Sequence, residues 1–265
     1  MPQPIPRPFF SLKKVLHSQQ SAWQKIDVVE NEYLGRILFL DGLVQTCEKD
    51  EFFYHEMLVH PALVSHPCPE NILLVGGGDG GALKEIVRYP EVKKVYFVEI
   101  DSQVIDVSLK FFPWLRHCLK DERVELVVAD GNEFILETDE KFDVVLVDSS
   151  EPVGPSKVLH HADFFRNLRG CLREPGVVVT QSGSPLYHLE NLRHSRRALK
   201  EVFKIVKIYL SPVPTYPGGS WSFLFLSQSV EPFSLRRDEP SELKFYSKEI
   251  HTASFVLPQF IKQRL

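Results

Sequence analysis

The sequence predicts an α/β fold, with a mainly parallel sheet covered on both faces and a small antiparallel β unit before it. Three observations predict it. From Asn71 onward, continuous Val/Ile/Leu runs alternate with helical segments, as strands buried on both faces require. Residues 21–60 instead alternate apolar and polar positions around turn signals. At 265 residues the chain suits one large α/β domain with a small appendage. The expected division is a β-hairpin domain with the start of a connecting helix over 1–60, and a larger domain over 61–265.

In the first part, SAWQKIDVVE and GRILFLDGLVQTCE read as hairpin strands, with turns at Asn31 to Gly35 and at Asp41-Gly42. EFFYHEMLVHPALV carries apolar residues at helical spacing and stops near Pro67-Cys68-Pro69. NILLVGGGDGG is an apolar run that ends in glycines, and ALKEIVRYP is a helix closed by Pro90. KKVYFVEID, RVELVVAD, FDVVLVDSS and VVVTQSGSP follow as strands, with SQVIDVSLKFF as a helix between the first two. A late SFLFLS strand and the charged alternation of 195–209 complete the layer, and KFYSKEIHTASFVLPQF is an amphipathic segment that packs back on the domain.

Bulk properties exclude several classes. Against 31 Lys and Arg stand 35 Asp and Glu, a net charge of −4, which provides no basic field for nucleic acid. No stretch approaches the roughly 18 apolar residues of a membrane span. The proline-rich MPQPIPRPFF does not read as a signal peptide. Cys47, Cys68, Cys118 and Cys171 are widely separated, which suits the reducing cytoplasm.

The strongest functional signal is where the acids fall. Asp79, Glu99, Asp130 and Asp148 each stand just after an apolar run, and in such sheets ligands bind beyond the carboxyl ends of the strands. Gly76-Gly77-Gly78-Asp79-Gly80-Gly81 contains G-x-G-x-x-G between strand and helix, where glycine lets a ligand approach the backbone. Glu99, about 20 residues on, can accept from two ribose hydroxyls. The plainer reading is a packing turn with Glu99 on a solvated edge. Within the nucleoside reading, Asp79 would repel a pyrophosphate, which disfavours a dinucleotide and favours a neutral or cationic nucleoside. S-adenosylmethionine and its decarboxylated form both qualify. Asp130, before Gly131, can accept from an adenine amino group or simply cap the helix NEFIL.

Asp148-Ser149-Ser150-Glu151-Pro152-Val153-Gly154-Pro155 sets two acids three apart on a proline-pinned loop. Carboxylates held side by side are relieved by a cation, which a diamine supplies. An attacking amine must also lose a proton, and a neighbouring carboxylate can take it. A proline turn with capping acids is the alternative.

LDGLVQTCEKDEFFYHEM, LLVGGGDGG, VEID, ADG, VDSSEPVGP, TQSGSP, YPGGSW and EIHTASFVLPQF together resemble the spermidine synthase family of polyamine aminopropyltransferases, over roughly residues 20–260. The resemblance implies a methyltransferase-like (Rossmann-like) α/β domain after an N-terminal β domain, in a homodimer or homotetramer. It implies transfer of an aminopropyl group from decarboxylated S-adenosylmethionine, a co-substrate, with no prosthetic group and no metal. Asp148 would be the proton acceptor, Glu99 the ribose ligand, and Asp130 with Gly131 the adenine site. Gly76 and Gly78 belong to the donor loop, and Gln24, Gln45 and Pro155 would line the donor pocket. Tyr54, His55 and Asp79 would bind amine, with Asp148, Glu151, Gln181 and Tyr216 on the acceptor side. Asp79 would reject the carboxylate of intact S-adenosylmethionine.

Three residues depart from the family pattern. Glu151 replaces an Asp, Lys157 stands where an acid is common, and His160 where Phe is usual. Putrescine is the expected acceptor, with cadaverine, agmatine, 1,3-diaminopropane or spermidine as alternatives. A methyltransferase and a non-catalytic polyamine sensor are the rival functions. His55 and His60 mimic a metal pair, but five residues on a helix turn the second about 140° from the first. Ser182-Gly183-Ser184 lacks a nucleophile elbow. Tyr216 and Trp221 read as core aromatics or as a pocket wall.

Overall fold

A computed structural model describes residues 13–149, 159 and 162–265. The expectations for Glu151, Pro155, Lys157 and His160 lie outside the described residues.

Four antiparallel strands open the described chain: β1 (Lys14–Gln20), β2 (Lys25–Asn31), β3 (Gly35–Leu40) and β4 (Leu43–Cys47), in the order β1-β2-β3-β4. The turn between β3 and β4 falls on Asp41 and Gly42, both at positive φ, as the Asp-Gly pair leads one to expect. Strand β1 was not evident in the sequence. Its segment KVLHSQQ has no buried position and no apolar alternation, and pairing with β2 alone makes it a strand.

Helix α1 (Glu51–Ser65) joins this sheet to the rest, and the expected boundary between 60 and 61 falls within it. Nearly every side chain of α1 is buried, and Tyr54, Met57, Leu58 and Leu63 join the core of the larger sheet. Then come β5 (Asn71–Gly76), α2 (Gly81–Ile86), β6 (Lys94–Glu99), α3 (Ser102–Phe111), α4 (Pro113–Cys118), β7 (Val124–Val128), α5 (Gly131–Glu137) and β8 (Phe142–Asp148). They are followed by α6 (Ala162–Gly170), β9 (Leu172–Gln181), α7 (Leu189–Leu199), β10 (Ile205–Pro212), β11 (Ser220–Ser227), α8 (Lys248–Ser254) and α9 (Gln259–Lys262).

The second sheet runs β10-β11-β9-β8-β5-β6-β7, and β11 alone is reversed against its neighbours. Along β5, Ile72 and Leu74 enter one core and Leu73 and Val75 the other. Burial on both faces is why the strand is a continuous apolar run. The chain winds outward from β5 to β6 and β7, then returns to β8, so the strand order reverses between β5 and β8. Such a crevice is where open α/β sheets bind ligands. In register there, Gly76 pairs with Asp148.

The two sheets are joined by both packing and polar contacts. Ile26, Val28 and Leu38 bury against Val104, Val107 and Phe112. Ser21 Oγ and Gln24 Nε2 donate to Asp101 Oδ2 at 2.6 and 3.2 Å, and Arg36 Nη1 donates to the Phe111 carbonyl at 2.7 Å. The amphipathic tail does pack back: His251 on α8 is fully buried and bonds to Tyr246 and to the Pro232 carbonyl. Among the described residues, no helix is long and apolar enough to cross a membrane.

Candidate active site

Among the described residues, a cavity opens at the carboxyl ends of β5, β6 and β8, roofed by the N-terminal sheet. Its wall includes the strand-end acids Asp79, Glu99, Asp130 and Asp148, with Gly76, Gly78, Gly131, Gln24, Gln45, Tyr54, Gln181 and Tyr216. Each described site residue expected from the sequence is therefore on the wall except His55, which lies directly behind Asp79. Trp221, left open between core and pocket, lines the cavity and packs edge-on against Tyr216 at 4.6 Å.

Glycine makes the approach possible. Gly76 sits at φ +78°, and a Cβ there would lie 2.3 Å from the Asp148 carbonyl oxygen. At Gly78 a Cβ would come within 2.9 Å of Glu99 Oε2, so the loop can pass the acid only with hydrogen at that position.

Glu99 is 8% exposed. Burial pushes its carboxyl up to about 7, against the backbone N–H of Asp101, which donates to Oε1 at 3.0 Å. Asp130 caps a helix and also faces the cavity. Its Oδ1 caps α5 by accepting from the backbone N–H of Asn132 at 2.7 Å and Glu133 at 3.2 Å, while the residue lines the cavity beside Gly131.

Asp148 ends β8 facing Tyr54, whose hydroxyl donates to Oδ1 at 2.7 Å. Burial raises the Asp148 carboxyl to about 6; His55 and the Tyr54 bond pull it down, and Asp79 adds to the rise. Burial and the Asp148 charge keep the Tyr54 phenol protonated, well above its ordinary value. Asp79 Oδ1 accepts from the backbone N–H of Gly81 at 2.6 Å, and its carbonyl accepts from Trp114 Nε1 at 2.9 Å.

On the far side, Gln181 is fixed in orientation. Its Nε2 donates to the Ser149 carbonyl at 2.9 Å, and its Oε1 accepts from the Gly183 N–H at 2.8 Å and Trp221 Nε1 at 3.1 Å. Tyr216 donates its hydroxyl to the Gln45 carbonyl, bridging the two sheets across the cavity mouth. His60 turns away from the site and bonds to Tyr89 at 2.8 Å, so His55 and His60 share no partner.

The sequence reading missed Glu51, Lys84 and Asp101. Asp101 carries Gln24, which holds the roof of the cavity. Glu51 had a visible signal, since it stands four residues before His55 and so on the same helix face.

A family model described as spermine/spermidine synthase domain matches residues 51–235, and one described as spermidine synthase tetramerisation domain matches residues 7–48. A polyamine aminopropyltransferase of Bacillus cytotoxicus is 44% identical over 252 residues, covering 94% of this chain and 92% of its own. Its counterpart from Bacillus subtilis is also 44% identical, over 94% of this chain and 91% of its own. A solved spermidine synthase in complex with the transition-state analogue AdoDATO is similar with a TM-score of 0.93 at 37% identity, over 96% of this chain and 89% of that one. Spermidine synthase from Thermotoga maritima gives a TM-score of 0.91 at 36% identity, over 96% and 88%.

Proposed function

The chain belongs to the spermine/spermidine synthase family of enzymes, and we propose that it transfers the aminopropyl group of decarboxylated S-adenosylmethionine to putrescine, yielding spermidine and methylthioadenosine. The observation that carries this reading is the convergence of Asp79, Glu99 and Asp148 on one cavity. A ring of acids favours a donor with a positive sulfur and a terminal ammonium, together with a cationic amine acceptor.

Each residue then has a distinct task. Glu99 accepts from the ribose hydroxyls, and Asp130 with Gly131 faces the adenine. Asp79 holds the ammonium of the aminopropyl arm and repels the carboxylate that intact S-adenosylmethionine would bring there. The acceptor amine, deprotonated at nitrogen, attacks the carbon bonded to sulfur. The C–S bond breaks with its electron pair passing to sulfur, and the proton shed by nitrogen goes to Asp148. An acid raised to about 6 by burial is still mostly a carboxylate at neutral pH, yet a better proton acceptor than an ordinary Asp. Tyr54 steadies that carboxylate and Tyr216 with Trp221 walls the amine. The rest is positioning, worth up to about 7–11 kcal/mol in well-aligned reactions.

The match of residues 7–48 to a tetramerisation domain supports assembly as a homo-oligomer.

Incubation with decarboxylated S-adenosylmethionine and each of putrescine, cadaverine, agmatine, 1,3-diaminopropane and spermidine tests the reading. The expected result is methylthioadenosine in step with aminopropylated product, fastest with putrescine. Absence of methylthioadenosine with every amine, or methyl transfer from intact S-adenosylmethionine, overturns it.

A further inference from the structure

The wall behind Asp79 is built from buried charge. The His55 imidazole lies between two carboxylates, with Nδ1 2.8 Å from Glu51 Oε2 and Nε2 3.5 Å from Asp79 Oδ1. The three side chains are 2%, 3% and 8% exposed, in the order His55, Glu51, Asp79. Lys84, on α2, places Nζ 2.6 Å from the other oxygen of Glu51, and at 24% exposure it links the group to solvent. An ionised carboxylate only accepts hydrogen bonds, so a ring that faces one at each nitrogen needs a hydrogen on both. From the surface inward the charges therefore alternate: Lys84 positive, Glu51 negative, His55 positive, Asp79 negative.

We propose that Glu51 and Lys84 are positioning residues of the donor site, which act through His55 to hold the Asp79 carboxylate against the cavity as the negative end of this ladder. The identity of the ligand rests on the aminopropyltransferase reading; the ladder itself does not. The electrostatic logic is specific. An imidazolium alone beneath Asp79 would cancel the charge that a ligand ammonium meets. Glu51 offsets that imidazolium, and Lys84 in turn makes a buried Glu51 tolerable.

Local structure enforces the arrangement. Glu51 and His55 are four apart on α1 and so share a face. Gly81 leaves the space that the imidazole occupies, since a Cβ there would lie 2.1–2.5 Å from three ring atoms. The other titratable groups that face His55 are Asp148 at the end of β8 and Tyr54, whose ring meets it edge-on at 5.3 Å. Burial alone would lower the pKa of His55, but Asp79 and Glu51 outweigh it and hold the value well above the ordinary one. Against its own burial, Glu51 is held down to about 2 by His55 and Lys84.

Nitrogen NMR of histidine-labelled protein from about pH 6 to about pH 9 reads the ladder without ligand or turnover. The expected wild-type result is a His55 resonance with both nitrogens protonated at pH 7, above the range in which an ordinary imidazole loses its proton. Glu51→Gln should lower the His55 midpoint and weaken donor binding by about 10–100-fold below that midpoint, where an imidazolium without Glu51 cancels the Asp79 charge, with kcat at saturating donor changed far less. Lys84→Met should move donor affinity in the same direction by a smaller factor. A neutral His55 in the wild type at pH 7, or a Glu51→Gln protein with unchanged donor affinity and pH profile, overturns the proposal. If Glu51→Gln does not fold, wild-type NMR and Lys84→Met decide. Failure of the aminopropyltransferase reading would look different: wild type would not bind the donor at all, whatever the state of His55.

Discussion

The hydroxyl of Tyr54, on helix α1, donates a 2.7 Å hydrogen bond to Oδ1 of Asp148 at the end of β8. That bond ties the helix joining the two sheets to the proposed proton acceptor, and it is one of the effects that restrain the rise of the Asp148 carboxyl. Tyr54→Phe should therefore push the Asp148 pKa further up and move the acidic limb of the kcat/KM profile to higher pH. A hydrogen bond to a charged group contributes about 1.5–3 kcal/mol, or about 1–2 pKa units, so the ionised fraction of Asp148 and with it the activity at neutral pH should fall about 2–10-fold. A pH–rate profile checks both; an acidic limb left in place contradicts the role.

Asp148→Asn keeps the shape of the side chain and removes its basicity. Turnover should fall by about 10²–10⁴, the range that a positioned general base supplies. Donor affinity should stay within about threefold, because the proposed nucleoside ligands, Glu99 and the glycine loop, are left in place. Single-turnover kinetics with donor binding measured on the same variant checks this, and wild-type turnover would remove Asp148 from its role.

Glu99 gives a pH dependence of opposite use. Burial raises its carboxyl to about 7, and in the proposed complex ribose hydroxyls would donate to the ionised form, so binding should strip its proton. Donor and methylthioadenosine affinity should increase as pH rises through about 7. Calorimetry near that pH in two buffers of different ionisation heat should detect proton release. In the ligand-free protein the folded value lies above the unfolded one. This group therefore favours folding fully below the usual carboxylate range and loses that contribution as pH rises through about 7. Binding that is pH-independent and proton-neutral contradicts the assignment.

Much of this site was legible because chemistry and periodicity disagree at the strand ends. An apolar run that stops on Asp79, Glu99, Asp130 or Asp148 places an acid where packing has no need of one, and all four line one cavity. The central strands were legible for the same reason that they are central, since burial on two faces writes an unbroken Val/Ile/Leu run. Strand β10 was hidden in KIVKIY, where lysines interrupt the apolar positions, and it forms through full pairing with β11. Glu51 and Lys84 stayed invisible as a pair because they lie on different helices, and only folding brings them to 2.6 Å. His55 was expected to touch amine; the structure sets it one layer behind, against Asp79.

Gly78 tests the close approach by size alone, since its backbone is not in the left-handed region. A methyl group there would lie 2.7 Å from Val104 Cγ1 and 2.9 Å from Glu99 Oε2. Gly78→Ala should lower stability by about 1–3 kcal/mol, the cost of overpacking. Because the displaced atom belongs to the proposed ribose ligand, donor affinity should fall by about tenfold or more. Denaturant unfolding and donor titration check the two effects; a variant with unaltered donor affinity would show that Glu99 does not hold the nucleoside.

The most direct measurement of whether the strand-end acids select the ligand is a calorimetric comparison of decarboxylated and intact S-adenosylmethionine, on the wild type and on Asp79→Asn. The acidic cavity should bind the decarboxylated donor at least about 10-fold more tightly, with most of that preference gone in Asp79→Asn. Equal affinity for the two in the wild type, or a preference for the intact donor, would contradict it.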